Sequence, residues 1–396
     1  MNSFIQVITV TALNLRTLPQ RIGSSLVIVI GIAGVVAVLI SMLSMSVGFR
    51  QTITNSSRED RAIILTRGAE AEAASNVSRA DVVAIENLPG VRRLNGKPAI
   101  SAEVIAIASV ARKSDASDAF VTLRGVGANA FAVRSELKII SGRTYQPAVR
   151  EVIVGKSARA QFSNLDPGER IALGDGDWTI VGVFESGGSS HESTLIADSE
   201  AVLSAFKRNS FNSVTVLLES KDSFAAFARA LGAIPASTIE ARREQEYFAS
   251  QSQPLNRLLE LIAYLIGSIM AIGAVFGALN TMYSAVSVRG TEIATLRALG
   301  FSGTSVVISV LIEAQLLACV GALFGILVAQ LCFNGHVIST VGDTIGNNPQ
   351  VVFSLTFTAA MVASSVALAC LVGLLGGLFP AVRAARLPIA AALRAS

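Results

Sequence analysis

Charged side chains are scarce in this chain of 396 residues. Asp, Glu, Lys and Arg make up 15% of it and hydrophobic residues make up 52%, whereas soluble domains carry about 25% charged residues. The scarcity is uneven. Residues 1–49 contain only Arg16 and Arg21, and residues 261–396 contain few charges, so most lie between Arg50 and Glu260. This composition excludes an ordinary soluble enzyme and predicts a membrane protein with a soluble insert.

Cysteine and histidine are also rare, which limits the chemistry available. The three cysteines, Cys319, Cys332 and Cys370, fall in or at the end of apolar runs without Cys-x-x-Cys spacing, so we interpret them as packing residues of membrane segments. The histidines, His191 and His336, are far apart and lack nearby ligand spacing, so we interpret each as an isolated polar loop residue. The sequence predicts no metal site, no catalytic residue and no cofactor bound by this chain.

The basic excess does not indicate nucleic-acid binding. The formal net charge is +4, but the stretch from Arg50 to Glu260 holds as many basic as acidic residues. The excess comes from arginines that flank apolar runs and form no basic face, so no nucleic-acid partner is predicted. Gly155-Lys156-Ser157 is similar to the end of a phosphate-binding loop, but Arg150 stands where that loop requires a glycine, and we reject the match.

Four apolar runs are long enough to cross a bilayer, which takes about 20 residues. Residues 22–49, 261–288 and 356–379 contain no charged side chain, and residues 305–332 contain only Glu313. Ahead of them, residues 1–18 place apolar side chains near one helical face and end before Pro19, a pattern typical of a helix lying in the membrane interface. The lipid bilayer is therefore a predicted partner.

Arginines in the short flanks predict the orientation. Arg16 and Arg21 precede the first span, Arg289 and Arg297 lie between the second and third, and Arg383, Arg386 and Arg394 follow the fourth. The loop between the third and fourth spans has Asp343 and no Lys or Arg. By the positive-inside rule, both termini and the Arg289 loop are cytoplasmic, and the large insert lies outside.

The insert predicts an α+β domain, expected to have two lobes. Residues 101–111, 119–126, 151–154, 170–173, 178–185, 194–196 and 213–218 have the pattern of strands. Residues 79–87, 156–162, 199–207 and 223–231 have the pattern of helices. Residues 238–260 are predicted to form a helical stalk into the second span, kinked at Pro254.

The predicted fold class is a membrane α-helical protein with four transmembrane helices and a large α+β periplasmic domain inserted between the first and second spans. The predicted segments are an interfacial helix (1–21), span one (22–49), the external domain (50–254), the stalk end with span two (255–288), a cytoplasmic helix (289–304), span three (305–332), a short external loop (333–355), span four (356–380) and a cytoplasmic tail (381–396). The family resemblance described below implies that the external domain is a periplasmic core domain and that the cytoplasmic helix is a coupling helix.

Polar and small residues within the spans have two interpretations each. Glu313 is costly in a membrane, so it serves either a structural pairing or ion coupling. Three Gly-x-x-x-Gly pairs permit close helix approach, either within the chain or between subunits. The pairs are Gly273 with Gly277, Gly321 with Gly325, and Gly373 with Gly377.

The stretch from Arg289 to Phe301 is a short polar helix candidate between two spans. Ile293, Leu296 and Leu299 can form an apolar ridge that enters a partner groove. Arg289, Glu292 and Arg297 would then fix the orientation of that ridge. The alternative is a solvated loop that its arginines hold against lipid headgroups.

The same stretch resembles a family motif. Arg289, Glu292, Ile293, Arg297 and Gly300 match the pattern Arg-x-x-Glu-Ile-x-x-x-Arg-x-x-Gly of FtsX-like, MacB-type ABC transporter permeases. The stretch from Gly377 to Arg386 is similar to the C-terminal signature of that family. The stretches 142–143, 151–155 and 178–183 are similar to its periplasmic core domain.

The resemblance implies a bacterial inner-membrane subunit that pairs with a second permease copy or a related permease. It implies a separate cytoplasmic ABC ATPase, which would bind ATP and Mg and dock on the Arg289 helix, and a periplasmic adaptor as a further partner. Thr291 stands where many family members carry a basic residue, so charge pairing with the ATPase is expected to differ. The expected function is a non-catalytic permease subunit for export or extraction by mechanotransmission. The alternative is a transmembrane regulator that activates a periplasmic cell-wall hydrolase without transport.

Overall fold

A computed structural model describes residues 3–17, 22–235, 238–339 and 351–388. The chain divides into two compact units. We call Met1–Val47, Leu255–His336 and Leu355–Ser396 the helical unit, and Gly48–Pro254 with Val337–Ser354 the sheet unit.

The helices within the described residues are α1 (Ser3–Thr17), α2 (Ile22–Thr54), α3 (Arg79–Glu86), α4 (Ala130–Val133), α5 (Lys156–Gln161), α6 (Ser199–Ala205), α7 (Phe224–Gly232), α8 (Glu244–Val288), α9 (Gly290–Ala298), α10 (Gly303–Phe333) and α11 (Ala359–Ala385). The strands are β1 (Arg61–Thr66), β2 (Arg93–Leu94), β3 (Lys97–Pro98), β4 (Ile100–Ala111), β5 (Asp118–Val126), β6 (Lys138–Gly142), β7 (Glu151–Gly155), β8 (Arg170–Leu173), β9 (Gly176–Glu185), β10 (Leu195–Asp198), β11 (Ser213–Leu217), β12 (Ile239–Arg243), β13 (Val337–Ser339) and β14 (Val352–Ser354).

Within the described residues, four helices are long and apolar enough to cross a membrane: Ser25–Thr54, Glu244–Val288, Gly303–Phe333 and Ala359–Ala385. This confirms that each predicted span forms a long apolar helix. Side-chain caps fix where the last two begin, since Ser302 accepts from the amide of Ser305 and Thr358 from that of Met361.

The sequence predicts that the fourth apolar helix ends at Pro380, but the structure shows that it does not. α11 continues through that proline to Ala385, because a proline removes only one backbone donor and packing among membrane helices compensates for such losses. The first residues assigned to the tail are therefore helical, whereas residues 389–396, with Arg394, lie outside the described residues. Cys319 and Cys332 are exposed, so only the half-buried Cys370 is partly packed within the chain.

α1 confirms a helix near the amino terminus. Val10 is buried, and the Gln6 side chain accepts hydrogen bonds from the Ser302 amide at 3.2 Å and the Ser305 hydroxyl at 3.3 Å. Ile8 and Leu13 are exposed, as an interfacial helix requires. Its location in the interface stays a prediction, and Pro19 and Arg21 lie outside the described residues.

Ten strands form one mixed sheet in the sheet unit. The order is β12-β1-β11-β4-β5-β10-β7-β9-β6, and β8 pairs with β9. The long strand β4 joins the two halves, because residues from Ile100 to Glu103 pair with β11 and residues from Val104 to Ala111 pair with β5. One hydrophobic core, including Ile64, Val104 and Trp178, runs under both halves. The prediction of two lobes is therefore wrong.

All seven strand predictions and all four helix predictions within the insert are confirmed to within a few residues. The stalk prediction is wrong at its start, because Ile239–Arg243 is strand β12 and α8 begins at Glu244. β12 pairs antiparallel with the buried strand β1. Without this pairing, backbone groups along one edge of β1 would lack hydrogen-bond partners. α8 then continues through Pro254.

The stretch predicted as a short periplasmic loop contains a small hairpin ladder. β13 pairs antiparallel with β14, and the Val352 amide donates to the Ser193 hydroxyl at 3.0 Å. Residues 340–350, with Asp343, lie outside the described residues.

Candidate functional site

The predicted coupling stretch forms α9, and its termini follow from its sequence. Glu292 lies in the first turn and Arg297 in the last, which suits the helix dipole. Gly300 has φ of +92°. Its amide donates to Arg297 O, and the Phe301 amide donates to Leu296 O, both at 3.1 Å. These two bonds form a Schellman motif, so the motif glycine supplies the left-handed residue that ends the helix.

Arg289 turns into the protein at the start of α9. Its side chain is nearly inaccessible, and its Nη1 donates to Glu313 Oε2 at 2.8 Å. Glu313 is buried within α10. The sequence allows either a structural pairing or ion coupling for Glu313. The structure gives this acid a counter-charge, which reduces the free-energy cost of a carboxylate in an apolar environment.

Arg297 also makes an internal contact. Its Nη1 donates to the carbonyl of Ala385 at 2.7 Å and to that of Leu387 at 3.1 Å. These carbonyls lie at the carboxyl end of α11, where the helix dipole favours a cation. Both motif arginines thus bind other segments of their own unit.

The exposed face of α9 differs from the predicted ridge. Ile293 is buried in the core of the helical unit with Val306 and Val310, and Leu296 is half-buried. Leu299 is 73% exposed. Glu292 and Thr295 are also exposed. Their spacing of three and four residues puts Glu292, Thr295 and Leu299 on one face, which we call the α9 ridge.

A small cavity adjoins the ion pair. It is lined by Val10 from α1, by Val286, Arg289 and Glu292, and by Glu313. Its volume of about 20 Å³ has room for roughly one water molecule. A transported substrate does not fit there.

The three glycine pairs have different surroundings. A Cβ on Gly325 would lie 2.6 Å from the Ala33 carbonyl of α2, and one on Gly377 would lie 2.7 Å from Ala314 Cβ of α10. Gly321 and Gly373 are crowded in the same way. Gly273 and Gly277, in contrast, have no heavy atom within 4 Å of such a Cβ. Two pairs therefore pack helices within the chain, and the pair on α8 borders open space.

The sheet unit holds a polar network that the sequence did not predict. Seven charged side chains alternate in sign along a series of contacts: Glu136, Arg61, Glu244, Arg134, Glu103, Arg124 and Glu72. Arg61 Nε lies 2.6 Å from Glu244 Oε2, and Arg134 Nη1 lies 2.8 Å from Glu244 Oε1. Every member except the half-buried Glu136 is buried. We call these seven residues the charge network.

The charge network joins separate elements. Arg61 begins β1, Glu103 lies in β4, Arg124 lies in β5 and Glu244 is the first residue of α8. Burial opposes ionisation of Glu103, but the charges of Arg134 and Arg124 outweigh it and lower the pKa of Glu103 to about 2. Glu103 therefore stays ionised at neutral pH.

Neutral groups add further hydrogen bonds to residues of the network. Arg134 Nη2 donates to Thr215 Oγ1 at 3.0 Å, and Ser213 Oγ donates to Glu72 Oε1 at 2.6 Å. The amide of Glu72 donates to the Tyr247 hydroxyl at 3.0 Å. Such hydrogen bonds reduce the cost of burying these charges, although Arg124 Nε and Glu136 Oε2 are buried without a hydrogen-bond partner.

His191 lies within the sheet unit and is not a free loop residue. It sits in a short turn, is 2% exposed and packs edge-on against Phe248. Burial and the charges of Arg134, Arg124 and Arg61 lower its pKa well below the usual value. The imidazole is therefore neutral in the folded protein. Within the described residues, no group of three or more His, Cys, Asp or Glu residues could hold a metal ion.

Two family models match the chain. The model described as MacB-like periplasmic core domain matches residues 25–234, and the model described as FtsX-like permease C-terminal matches residues 264–389. Similar curated proteins are named macrolide export ATP-binding/permease protein MacB. The one from Hahella chejuensis is 27% identical over 298 residues, 69% of this chain and 43% of the relative. The one from Neisseria gonorrhoeae is 27% identical over 294 residues, 68% of this chain and 43% of the relative.

The chain thus spans less than half the length of these relatives. Among solved structures, it is similar to the periplasmic region of MacB from Actinobacillus actinomycetemcomitans, with 16% identity and a TM-score of 0.37. That match covers 47% of this chain and 90% of the solved one.

Proposed function

The chain belongs to the family of FtsX-like permeases with a MacB-like periplasmic core domain, and from this membership we propose that it transmits ATP-driven movement across the bacterial inner membrane. In this proposal a separate cytoplasmic ABC ATPase hydrolyses ATP with Mg, and this chain is a non-catalytic membrane subunit. The output is a conformational change of the sheet unit that exports or extracts a substrate.

The proposed topology follows from the arginines. Both termini and α9 face the cytoplasm. The sheet unit faces the periplasm; most of it lies between the first two spans in the chain, and Val337–Ser354 lies between the last two. Arg289 and Arg297 at α9 and Arg383 and Arg386 at the end of α11 support this orientation by the positive-inside rule.

The α9 ridge is the proposed ATPase docking surface, and its exposure is the observation that carries the proposal. Leu299 presents a large apolar side chain to solvent beside the acidic Glu292 and the polar Thr295. An apolar anchor with a neighbouring charge is the usual chemistry of a helix that enters a partner groove.

The open glycine pair is the proposed contact with a second permease copy. Gly273 and Gly277 border a groove between α2 and α8 together with Gly31 and Val35. Small residues allow the backbone of a partner helix to approach closely. A periplasmic adaptor remains a proposed partner on family grounds alone.

The docking proposal is tested by replacing Leu299→Asp in the full-length chain. The wild-type chain in lipid nanodiscs is combined with the ABC ATPases of its own organism that lack a membrane domain, and Kd and Mg·ATP hydrolysis are measured. Leu299 would become buried in the complex with the ATPase, and loss of this apolar anchor should raise Kd at least about tenfold. The matched control is Val83→Asp, an equally drastic change at an exposed valine of the sheet unit, which should leave Kd unchanged.

Equal binding by Leu299→Asp and wild type would refute docking on this ridge. Stimulation of a cell-wall hydrolase by the ATPase complex, without release of any cargo from proteoliposomes, would favour the regulatory alternative over transport.

A further inference from the structure

The two motif arginines of α9 lie on a different side from the α9 ridge. Arg289 is 4% exposed, and the guanidinium of Arg297 is occupied by two carbonyls of the α11 terminus. The family motif therefore contains residues of two kinds. Glu292 faces outward, whereas both arginines bind the helical unit itself.

Arg289 contacts α10 within the helix and not at its end. Glu313 lies ten residues after Gly303, which corresponds to about 15 Å along the helix. An ion pair that is withdrawn from water is strong and directional, because the surrounding dielectric constant is low and the guanidinium geometry is rigid. The ion pair thus joins the amino end of α9 to the first third of α10.

The Arg297 contact holds a different helix. The carbonyls of Ala385 and Leu387 end α11, and the donor is one nitrogen at 2.7 and 3.1 Å. Ile293 lies between the two arginines in sequence and belongs to the same buried core as Val306 and Val310 of α10. α9 is consequently fastened at its start, middle and end, while its opposite face stays free.

We propose that Arg289 and Arg297 are positioning residues that join α9 to α10 and α11, so that a load on the α9 ridge moves these helices together. The inference rests on the proposed function, since it requires an ATPase that pushes on the ridge. Neither arginine contacts the ATPase in this scheme. Arg289 acts through Glu313, and Arg297 acts through the end of α11.

The decisive variant is the double replacement Arg289→Met with Glu313→Met. Arg289→Met alone leaves an unpaired buried carboxylate and can fail to fold for that reason. The double variant removes both charges, keeps side chains of similar length and breaks the link. Arg289→Lys keeps the charge and serves as the conservative control.

The measurements separate docking from transmission. With the ATPase that binds wild type, the double variant should keep Kd within about twofold, while stimulation of ATP hydrolysis should fall at least about fivefold. Arg297→Met should behave in the same way, and Arg289→Lys should recover most of the stimulation. Leu299→Asp should instead lose binding.

A spectroscopic readout tests the link without an ATPase. Spin labels at Ala298→Cys in α9 and Leu323→Cys in α10, both exposed positions, are introduced with the three native cysteines replaced by serine. The distance distribution should be narrow in this background and broader when Arg289→Met and Glu313→Met are added. Wild-type stimulation together with an unchanged distribution in the double variant would overturn the inference.

The two proposals can fail separately. If no ATPase binds the wild-type chain, the proposed function fails, and the label distances still decide whether the arginine link holds α9. If the ATPase binds and the double variant transmits normally, only the positioning inference fails.

Discussion

In the sheet unit, Arg61, Arg124 and Arg134 each contact two carboxylates, and the contacts run through strands, turns and the first residue of α8. In the described part of the helical unit, the ion pair is that of Arg289 with Glu313. The first arrangement fixes several elements at once, because each guanidinium is held from two sides. The second joins one short helix to one span.

Arginine and glutamate form ion pairs in both units, but these pairs constrain the two units to different extents. A network that spans β1, β4, β5 and the start of α8 makes the sheet unit resist deformation around that point. The ion pair between Arg289 and Glu313, in contrast, joins only α9 and α10. If the proposed function holds, movement enters the chain through a sparse contact and is received by a densely connected one.

The largest expected effect comes from breaking the charge network. Replacement Arg134→Met leaves Glu103 and Glu244 short of a counter-charge, and loss of one partner of a buried ion pair costs about 3–5 kcal/mol. Denaturant unfolding of the full-length chain can be followed through Trp178, which is the only tryptophan and is fully buried in the sheet unit.

The matched control for this experiment is Arg79→Met. Arg79 pairs with Glu200, but both side chains are more than half exposed, and exposed pairs contribute about 0–1 kcal/mol. A loss for Arg134→Met no larger than that for Arg79→Met would contradict the rigid role of the network.

Much of the fold could be predicted from the sequence because its signals are local. The spans follow from uninterrupted apolar runs, and strands such as β4 and β9 follow from β-branched residues in alternation. The sequence does not predict β12, because its five residues, Ile239–Arg243, run directly into the helix that begins at Glu244. Its pairing with β1 is a tertiary effect that overrides local preference.

The candidate site was only partly predictable for a similar reason. Periodicity places Ile293, Leu296 and Leu299 on a helix but does not say which face the rest of the chain covers, so the predicted ridge contains the buried Ile293. The charge network has no motif, because its members are scattered from Arg61 to Glu244 and meet only after the sheet forms. Glu313 stands out in the sequence because an acid in a span is rare. Nothing local in the sequence indicates that Arg289 pairs with it, and the motif instead suggests that Arg289 contacts a partner protein.

A smaller effect is expected from the neutral histidine of the sheet unit. Since folding lowers the pKa of His191, the unfolded chain takes up a proton first as the pH falls below about 6.5. Stability contributed by this residue is therefore present above that pH and is lost below it, by about 1.4 kcal/mol per pH unit. The charged groups that lower the pKa of His191 are Arg134, Arg124 and Arg61.

The test compares wild type with His191→Gln at about pH 7.5 and about pH 5.5. Unfolding midpoints from Trp178 fluorescence should fall more steeply for wild type between these values. Parallel losses in the two proteins would show that other groups cause the acid sensitivity, such as carboxylates of the charge network. Glu103 is a poor candidate, because its pKa of about 2 places its titration far below this window.

The most local effects on stability are expected at two glycines with positive φ, one in each unit. Gly300 at the end of α9 has φ of +92° and open space around it, whereas Gly142 in β6 has φ of +74° and a Cβ there would lie 2.3 Å from Val181 O. Gly300→Ala should cost only the strain of a left-handed alanine, about 1–2 kcal/mol, and Gly300→Asn should cost less. Gly142→Ala adds a backbone clash and should be worse. Amide hydrogen exchange at the ends of α9 and β6 in the full-length chain measures both local losses. Equal protection in Gly300→Ala and Gly142→Ala would mean that the backbone of the sheet unit accommodates the added Cβ as readily as the end of α9 does, against the contrast between the two units.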